Sequence, residues 1–283
     1  MSATAWKDES AKIPYTRAVA FDFSPYAAVL LDLDGTIYHE EHALPGAIAL
    51  LRRLQSSEKP FACLTNSTTS PMRIVERLAR MGVELEPDRV YTAAAAAADY
   101  VIQHTKAKPR PRIYNLATEG LAEMLHGLVD WVNTDAEPCD AVIIGAPANV
   151  FATEERQRIA LRLLRKGALA VGICADRVYP SPRGLEFGSG ALTQMLAYAA
   201  QTEPIFCGKP QKLFFHELCH RLKVPSDRCI LVGDNLESDI MGAKALGMKT
   251  VLMLTGVTRR RDLLKISPDA KPDWVVEDLS EML

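Results

Sequence analysis

The sequence predicts an α/β protein with a parallel sheet, interrupted by a second, inserted α/β unit. Three observations carry that prediction. Strand-like and helix-like stretches alternate along most of the chain, the pattern of βαβ units. Runs such as Val29-Leu30-Leu31 and Ile230-Leu231-Val232 are continuously apolar, as strands buried on both faces require. Four of these runs end in polar clusters, and between the second and third cluster the sequence holds a complete further set of strands and helices.

Taken in order, residues 1–25 precede the first strand-like run and carry Trp6 and several charges. An N-terminal arm, a packing strap and a disordered tail all remain open readings there. The run Ala28 to Leu31 reads as a buried strand ending at Asp32. Leu44-Pro45-Gly46 starts a helix to about Ser57, and Pro60 to Leu64 forms the next strand. Ser70-Pro71 is a helix entry, since a proline at the first position loses no useful N–H and a serine suits the N-cap; that helix ends near Gly82. The second set follows: helix 93–103, strand 112–116, helix 118–127, strand 141–145, helix 153–166 and strand 168–174. After Gly190 the pattern returns to the first set with helix 191–201, strand 204–207, helix 211–223, strand 229–233, helix 237–246 and strand 250–254. The expected division is an arm over 1–25, a discontinuous core over 26–92 and 188–283, and an inserted unit over 93–187.

Composition narrows the function classes. With 283 residues, 48% hydrophobic and 24% charged, the chain has an ordinary globular composition and length enough for two domains. Its formal net charge is −2 and its basic residues are dispersed apart from Arg259-Arg260-Arg261, which reads as a solvated helix start. There is thus no electrostatic case for a nucleic-acid partner. The stretch from Met1 to Ala11 lacks the apolar segment of a signal peptide, and no run is long and apolar enough to span a bilayer, so no membrane partner is expected. Six cysteines occur without Cys-x-x-Cys spacing, which suits reduced thiols and a cytoplasmic location.

The chemistry concentrates at strand ends. Asp32 and Asp34 stand one residue apart at the carboxyl end of the first strand, followed by Gly35-Thr36. Carboxylates this close repel unless a cation or proton is shared between them, which suits a hard divalent metal. Thr65-Asn66-Ser67 closes the second run, Gly208-Lys209-Pro210 the third, and Gly233-Asp234-Asn235 with Asp239 the fourth. Loops after parallel strands of one sheet converge on one edge, so these residues together offer carboxylates for a metal, a hydroxyl and amide cradle, and one ammonium.

These four segments, matched in order, resemble the motifs of the haloacid dehalogenase (HAD) superfamily. The block between the second and third is similar to the type IIA cap of the subfamily containing pyridoxal phosphate, phosphoglycolate and para-nitrophenyl phosphate phosphatases. The resemblance implies a Rossmann-like HAD core with a parallel sheet plus an inserted α/β cap domain of that type. It implies a Mg²⁺-dependent phosphatase of small soluble phosphomonoesters, of sugar phosphate, nucleotide or pyridoxal phosphate type, working through an aspartyl-phosphate. Asp32 would be the nucleophile and Asp34 the general acid and base, its backbone carbonyl also touching the metal. Asp32, Asp34, Asp234 and Asp239 would hold Mg²⁺, with Asp239 acting through water or from behind. Thr65 and the backbone around Asn66 would cradle the phosphoryl oxygens, and Lys209 would place positive charge against them. Relatives usually carry Thr-Asn, one residue, then Asp in the cap; this chain has Ile173-Cys174-Ala175-Asp176. Asp176 is retained and is expected either to face the leaving group or to sit in a turn. A phosphotransferase or mutase using the same intermediate, and a non-catalytic phosphate-ester-binding protein, are the alternatives. A homodimer through the cap is left open.

Two other motifs are set aside. His216-Glu217-Leu218-Cys219-His220 matches the H-E-x-x-H zinc pattern, but no third ligand of the usual kind follows, and Phe214, Leu218 and Leu222 explain the helix as a core stripe. Gly188-Ser189-Gly190 is followed by no Gly-Lys-Ser/Thr and reads as a hinge or helix entry.

Overall fold

The computed structural model describes residues 21–105, 110–147, 151–181 and 183–283. The chain runs through β1 (Ala28–Asp32), a small hairpin of β2 (Tyr38–His39) and β3 (His42–Ala43), α1 (Ala47–Gln55), β4 (Phe61–Thr65), α2 (Pro71–Arg80), β5 (Val90–Thr92) and α3 (Ala93–His104). It continues with β6 (Arg112–Leu116), α4 (Glu119–Met124), β7 (Asp130–Trp131), β8 (Ala141–Ile144), α5 (Glu154–Arg165) and β9 (Leu169–Gly172). The hairpin β10 (Val178–Ser181) and β11 (Gly184–Phe187) follows, then α6 (Ser189–Ala200), β12 (Ile205–Phe206) and α7 (Lys212–Leu222). Last come β13 (Cys229–Gly233), a π-helical turn Leu236–Met241, β14 (Lys249–Met253) and β15 (Trp274–Val276).

Two parallel sheets organise these elements. The first has six strands in the order β15-β14-β13-β1-β4-β5, and the second has five in the order β12-β9-β8-β6-β7. In the first sheet, Leu30 pairs with both Leu231 and Ala62, so the Asp32 end lies between the ends of β13 and β4. One face of this sheet, with Val29, Leu31 and Val232, packs on Leu50, Leu51 and Leu54 of α1 and Ile74 and Leu78 of α2. In the second sheet, Val142 and Ile144 pack on Leu163 and Leu164 of α5 and Leu192 and Leu196 of α6.

The inner faces of both sheets share one hydrophobic cluster. Leu30 and Leu64 of the first sheet and Ile143 and Val171 of the second belong to it, together with Ala93 to Ala98 of α3. All six alanines are buried. A helix packed on several sides needs small side chains around its circumference, and alanine supplies them with the best helix propensity.

The structure corrects one expected boundary. The sequence assigns residues 188–207 to the first set, yet β12 pairs with β9 and α6 packs on α5 and β9. The chain therefore leaves the second sheet only after Phe206. A two-residue strand carries no readable period, so its sheet is chosen by tertiary pairing alone. Ser70 stands at the N-cap of α2 with Pro71 after it, as expected, but its hydroxyl makes no cap bond and is without a hydrogen-bond partner. At the N-terminal side, Phe21 packs edge-on against Trp274, and its amide bonds the carbonyl of Met282. Residues 21–25 thus strap the first sheet, while the rest of the expected arm lies outside the described residues. Among these, all six cysteines are free thiols and no helix is long and apolar enough to cross a membrane.

The alanine helix makes a direct prediction. Replacing the fully buried Ala97 with leucine should overpack the shared core and destabilise the protein by about 1–3 kcal/mol. Urea unfolding monitored by circular dichroism would show a lowered midpoint; an unchanged one would mean that α3 has room to shift.

Candidate active site

Strand ends of the first sheet deliver most of the site. Asp32 closes β1 with its side chain almost wholly buried. Its Oδ2 accepts from Thr36 Oγ1 at 3.2 Å and its Oδ1 from Lys209 Nζ at 2.5 Å. Asp34 begins the turn into the β2–β3 hairpin, where Gly35 adopts φ 84° and donates its N–H to the Tyr38 carbonyl at 2.8 Å. Asp34 itself is exposed at the surface, with its carboxyl group partly enclosed by the protein.

Thr65 closes β4, and its Oγ1 accepts from the Ser67 N–H at 3.1 Å. That bond leaves the hydroxyl proton available to a ligand. Lys209 is nine-tenths or more buried and also donates to Asp239 Oδ1 at 2.6 Å. Asp239, fully buried in the π-helical turn, accepts from Asn235 N at 3.1 Å through Oδ2. Asp234 follows β13, and its Oδ2 accepts from Val257 N at 2.5 Å. A Cβ on Gly256 would lie 1.9 Å from that oxygen, so the loop after β14 can cradle Asp234 only with glycine there.

Asp32, Lys209, Asp234 and Asp239 converge, Asn66 holds the Lys209 main chain, and Asp34 and Thr65 stand at the ends of the neighbouring strands β1 and β4. Sequence reasoning missed Thr36, Gly256 and Val257. The run Thr255-Gly256-Val257-Thr258 also closes a strand of the first sheet, and the same convergence rule would have found it. Asp176 does lie near the site, but its carboxylate accepts from Asn66 Nδ2 and Cys174 Sγ. Of the two readings of Gly188-Ser189-Gly190, the structure shows the helix entry, with Gly188 at the N-cap of α6, and both glycines pack closely: a Cβ on either would fall 2.1 to 2.4 Å from the backbone of Asp176 or Ala175. His216 and His220 are exposed on α7 and join no metal-binding group among the described residues.

Comparison with known proteins places this arrangement. A family model for haloacid dehalogenase-like hydrolases matches residues 29–128, and a HAD-hydrolase-like model matches residues 206–282. An acid sugar phosphatase of Staphylococcus epidermidis is 31% identical over 256 residues, covering 90% of this chain and 96% of that one. The chain belongs to the haloacid dehalogenase-like hydrolases. The solved structure of 4-nitrophenylphosphatase from Thermotoga maritima superposes with a TM-score of 0.81 at 30% identity, covering 91% and 96% of the two chains. A glycerol phosphate phosphatase from Mycobacterium tuberculosis, solved in complex with magnesium, gives 0.80 at 27% identity, covering 91% and 76%. The fold and motifs put this HAD protein among the superfamily's phosphatases with a type IIA cap.

The electrostatics of the HAD site call for a cation. Carboxylate oxygens of Asp32, Asp234 and Asp239 all lie within 4.8 Å of one another. Lys209 is the sole buried cation among the described residues. Burial pushes Asp32 up to about 7, against the pull of Lys209 and with the charge of Asp234 adding to it. Burial likewise lifts Asp234 and Asp239 to about 6. For Lys209, burial works against the ammonium, but the charges of Asp239 and Asp32 outweigh it and hold the group above the usual lysine range. Desolvation also raises Asp34, opposed by Arg77 and Lys209. An all-oxygen donor set with more carboxylates than cations fits Mg²⁺. The Asp34 side chain is outside the convergent trio, so any part it takes there would be through its backbone.

A carboxyl whose pKa is higher folded than unfolded binds its proton more tightly in the folded protein. Without a divalent cation, these three groups therefore favour folding as pH falls through about 7 toward 4 and oppose it as pH rises. Mg²⁺ relieves the same repulsion, so its addition should raise the melting temperature more at about pH 8 than at about pH 5.5. Thermal unfolding with and without Mg²⁺ at both pH values checks this, and equal shifts would contradict it.

Proposed function

We propose that the protein is a Mg²⁺-dependent phosphatase that hydrolyses small phosphomonoesters, of sugar phosphate, nucleotide or pyridoxal phosphate type, through an aspartyl-phosphate on Asp32. The observation that carries this reading is the placement of Asp32, held by Thr36 and Lys209, with Asp34 exposed at the surface two residues further on. Asp234, Asp239 and Asp32 would hold the ion, which when bound supplies positive charge against the phosphoryl oxygens.

The protein's own groups divide the remaining work. Asp32 attacks phosphorus, and fixing both its oxygens orients the carboxylate before substrate arrives. Protonated Asp34 gives its proton to the leaving alkoxide, and its raised affinity for a proton suits that role. The resulting carboxylate then takes a proton from the water that attacks phosphorus, and Asp32 is regenerated as phosphate leaves. Lys209 balances the charge of Asp32 between turnovers. The Thr65 hydroxyl donates toward the transferred group. The second sheet and its helices act as the cap that excludes water and meets the leaving group.

Phosphate release from a panel of sugar phosphates, nucleoside monophosphates, pyridoxal phosphate, phosphoglycolate and para-nitrophenyl phosphate tests the proposal. Wild type should require Mg²⁺ and stop in EDTA, and Asp32→Asn should lose on the order of 10³-fold or more in kcat. Well-folded wild type that releases no phosphate from any ester would sink it. Asp34→Asn separates the two carboxylates: its loss should be roughly 10²- to 10⁴-fold on alkyl esters and much smaller on para-nitrophenyl phosphate, whose leaving group needs little protonation. Equal losses on both would remove Asp34 from the acid role.

A further inference from the structure

Lys209 is tied to two sheets at once. Its ammonium lies in the site of the first sheet, but its main chain continues directly from β12, which hangs on β9 of the second sheet through Cys207 N to Gly172 O at 3.0 Å. Asn66, which follows β4 of the first sheet, bridges the two. Its Oδ1 accepts from Lys209 N at 2.7 Å and its Nδ2 donates to Lys209 O at 3.1 Å, so one amide grips both sides of a single residue. The approach needs glycine beforehand: a Cβ on Gly208 would lie 2.6 Å from Asn66 Oδ1.

The other Nδ2 hydrogen points to Asp176 in the second unit, with 3.2 Å to each carboxylate oxygen. A side-chain amide has two donor hydrogens, and both are now committed, leaving none for a phosphate oxygen. Asp176 is in turn fixed from behind. Cys174 Sγ donates to its Oδ2 at 3.1 Å, and burial, reinforced by the charge of Asp176, pushes that thiol up to about 12, so it carries its proton at neutral pH. Gly190 N donates to the Asp176 carbonyl at 3.0 Å, and Ser189 Oγ to that of Cys174 at 3.0 Å.

We infer that Asn66 and Asp176 form a latch that transmits the seating of the second unit to Lys209, which makes Asp176 a positioning residue and not a ligand of the leaving group. When the second unit is seated, the charged bond from Asp176 orients the Asn66 amide, the amide fixes the Lys209 main chain, and the ammonium meets Asp32 and Asp239. When it is displaced, Asn66 loses its outer partner and Lys209 its fixed register. The charge around the nucleophile is then completed only under a seated cap, a form of gating. The inference rests on the phosphatase reading for its kinetic consequences, but not for its structural ones.

A double-mutant cycle with Asp176→Ala and Asn66→Ala tests the latch, with Asp176→Asn as the conservative variant. Kinetics are measured on a sugar phosphate and on para-nitrophenyl phosphate, and hydrogen exchange is measured on the 207–211 segment without substrate. Asp176→Ala should lower kcat roughly 10- to 100-fold by the same factor on both esters, with little change in KM. Asp176→Asn, which keeps an acceptor for Asn66, should recover most of it. The double variant should be no slower than the slower single variant, since both break one connection, and exchange at 207–211 should rise in Asp176→Ala. A loss confined to the sugar phosphate or expressed in KM would make Asp176 a leaving-group ligand and overturn the latch, as would multiplicative losses or unchanged exchange. If wild type releases no phosphate at all, the phosphatase reading fails while the exchange measurement still decides the latch.

Discussion

An ammonium that reaches Asp32 at 2.5 Å and Asp239 at 2.6 Å must be in place before so many acidic side chains can share one sheet edge. Two carboxylates in water would repel modestly, but removed from solvent they repel strongly unless paired. The pairing here is incomplete: one lysine stands against Asp32, Asp234 and Asp239, and each of the three binds its proton more tightly than an ordinary aspartate. The remaining imbalance is what suits the site to a cation and distinguishes it from a neutralised buried salt bridge. A second lysine would have satisfied the carboxylates and removed that affinity.

The rest of the fold can be understood as the means of bringing that lysine in. Lys209 arrives from the second sheet, and the two sheets meet across α3, whose run from Ala93 to Ala98 lets helix and strands approach closely on both sides. Larger side chains in α3 would separate the sheets and with them the two halves of the ion pair. The packing of α3 therefore bears on the charge at the nucleophile, because it contacts β5 of the sheet that carries Asp32 and β9 of the sheet from which Lys209 arrives.

Much of this was legible in the sequence, for a definite reason. A buried parallel strand is continuously apolar and ends abruptly, so Asp32, Thr65 and Asp234 mark strand ends without any knowledge of pairing. Convergence of such ends on one edge then follows from topology. What stayed hidden depends on pairing itself. Val178-Tyr179-Pro180-Ser181 forms a strand only against Gly184 to Phe187, and a proline there weakens the sequence signal. Ile205–Phe206 is two residues long and takes its sheet from β9. The partner of Asp176 was invisible because Asn66 lies 110 residues away and on the other unit.

That last case shows how a retained residue can mislead. Asp176 stands where the family resemblance expects an acidic cap residue, and both a contact to the leaving group and a place in a turn were open readings of an acid there. The geometry gives the carboxylate three contacts from the protein itself, two from the bifurcated amide and the third from the thiol. These contacts take up part of the carboxylate's acceptor capacity and fix its orientation toward Asn66. Cys174, at the position where the family resemblance leads one to expect asparagine, supplies one of those contacts, so this departure bears directly on how Asp176 is held. A thiol is a weaker donor than an amide, which leaves the Asn66 bond as the stronger hold on Asp176 and ties the cap to the Lys209 main chain.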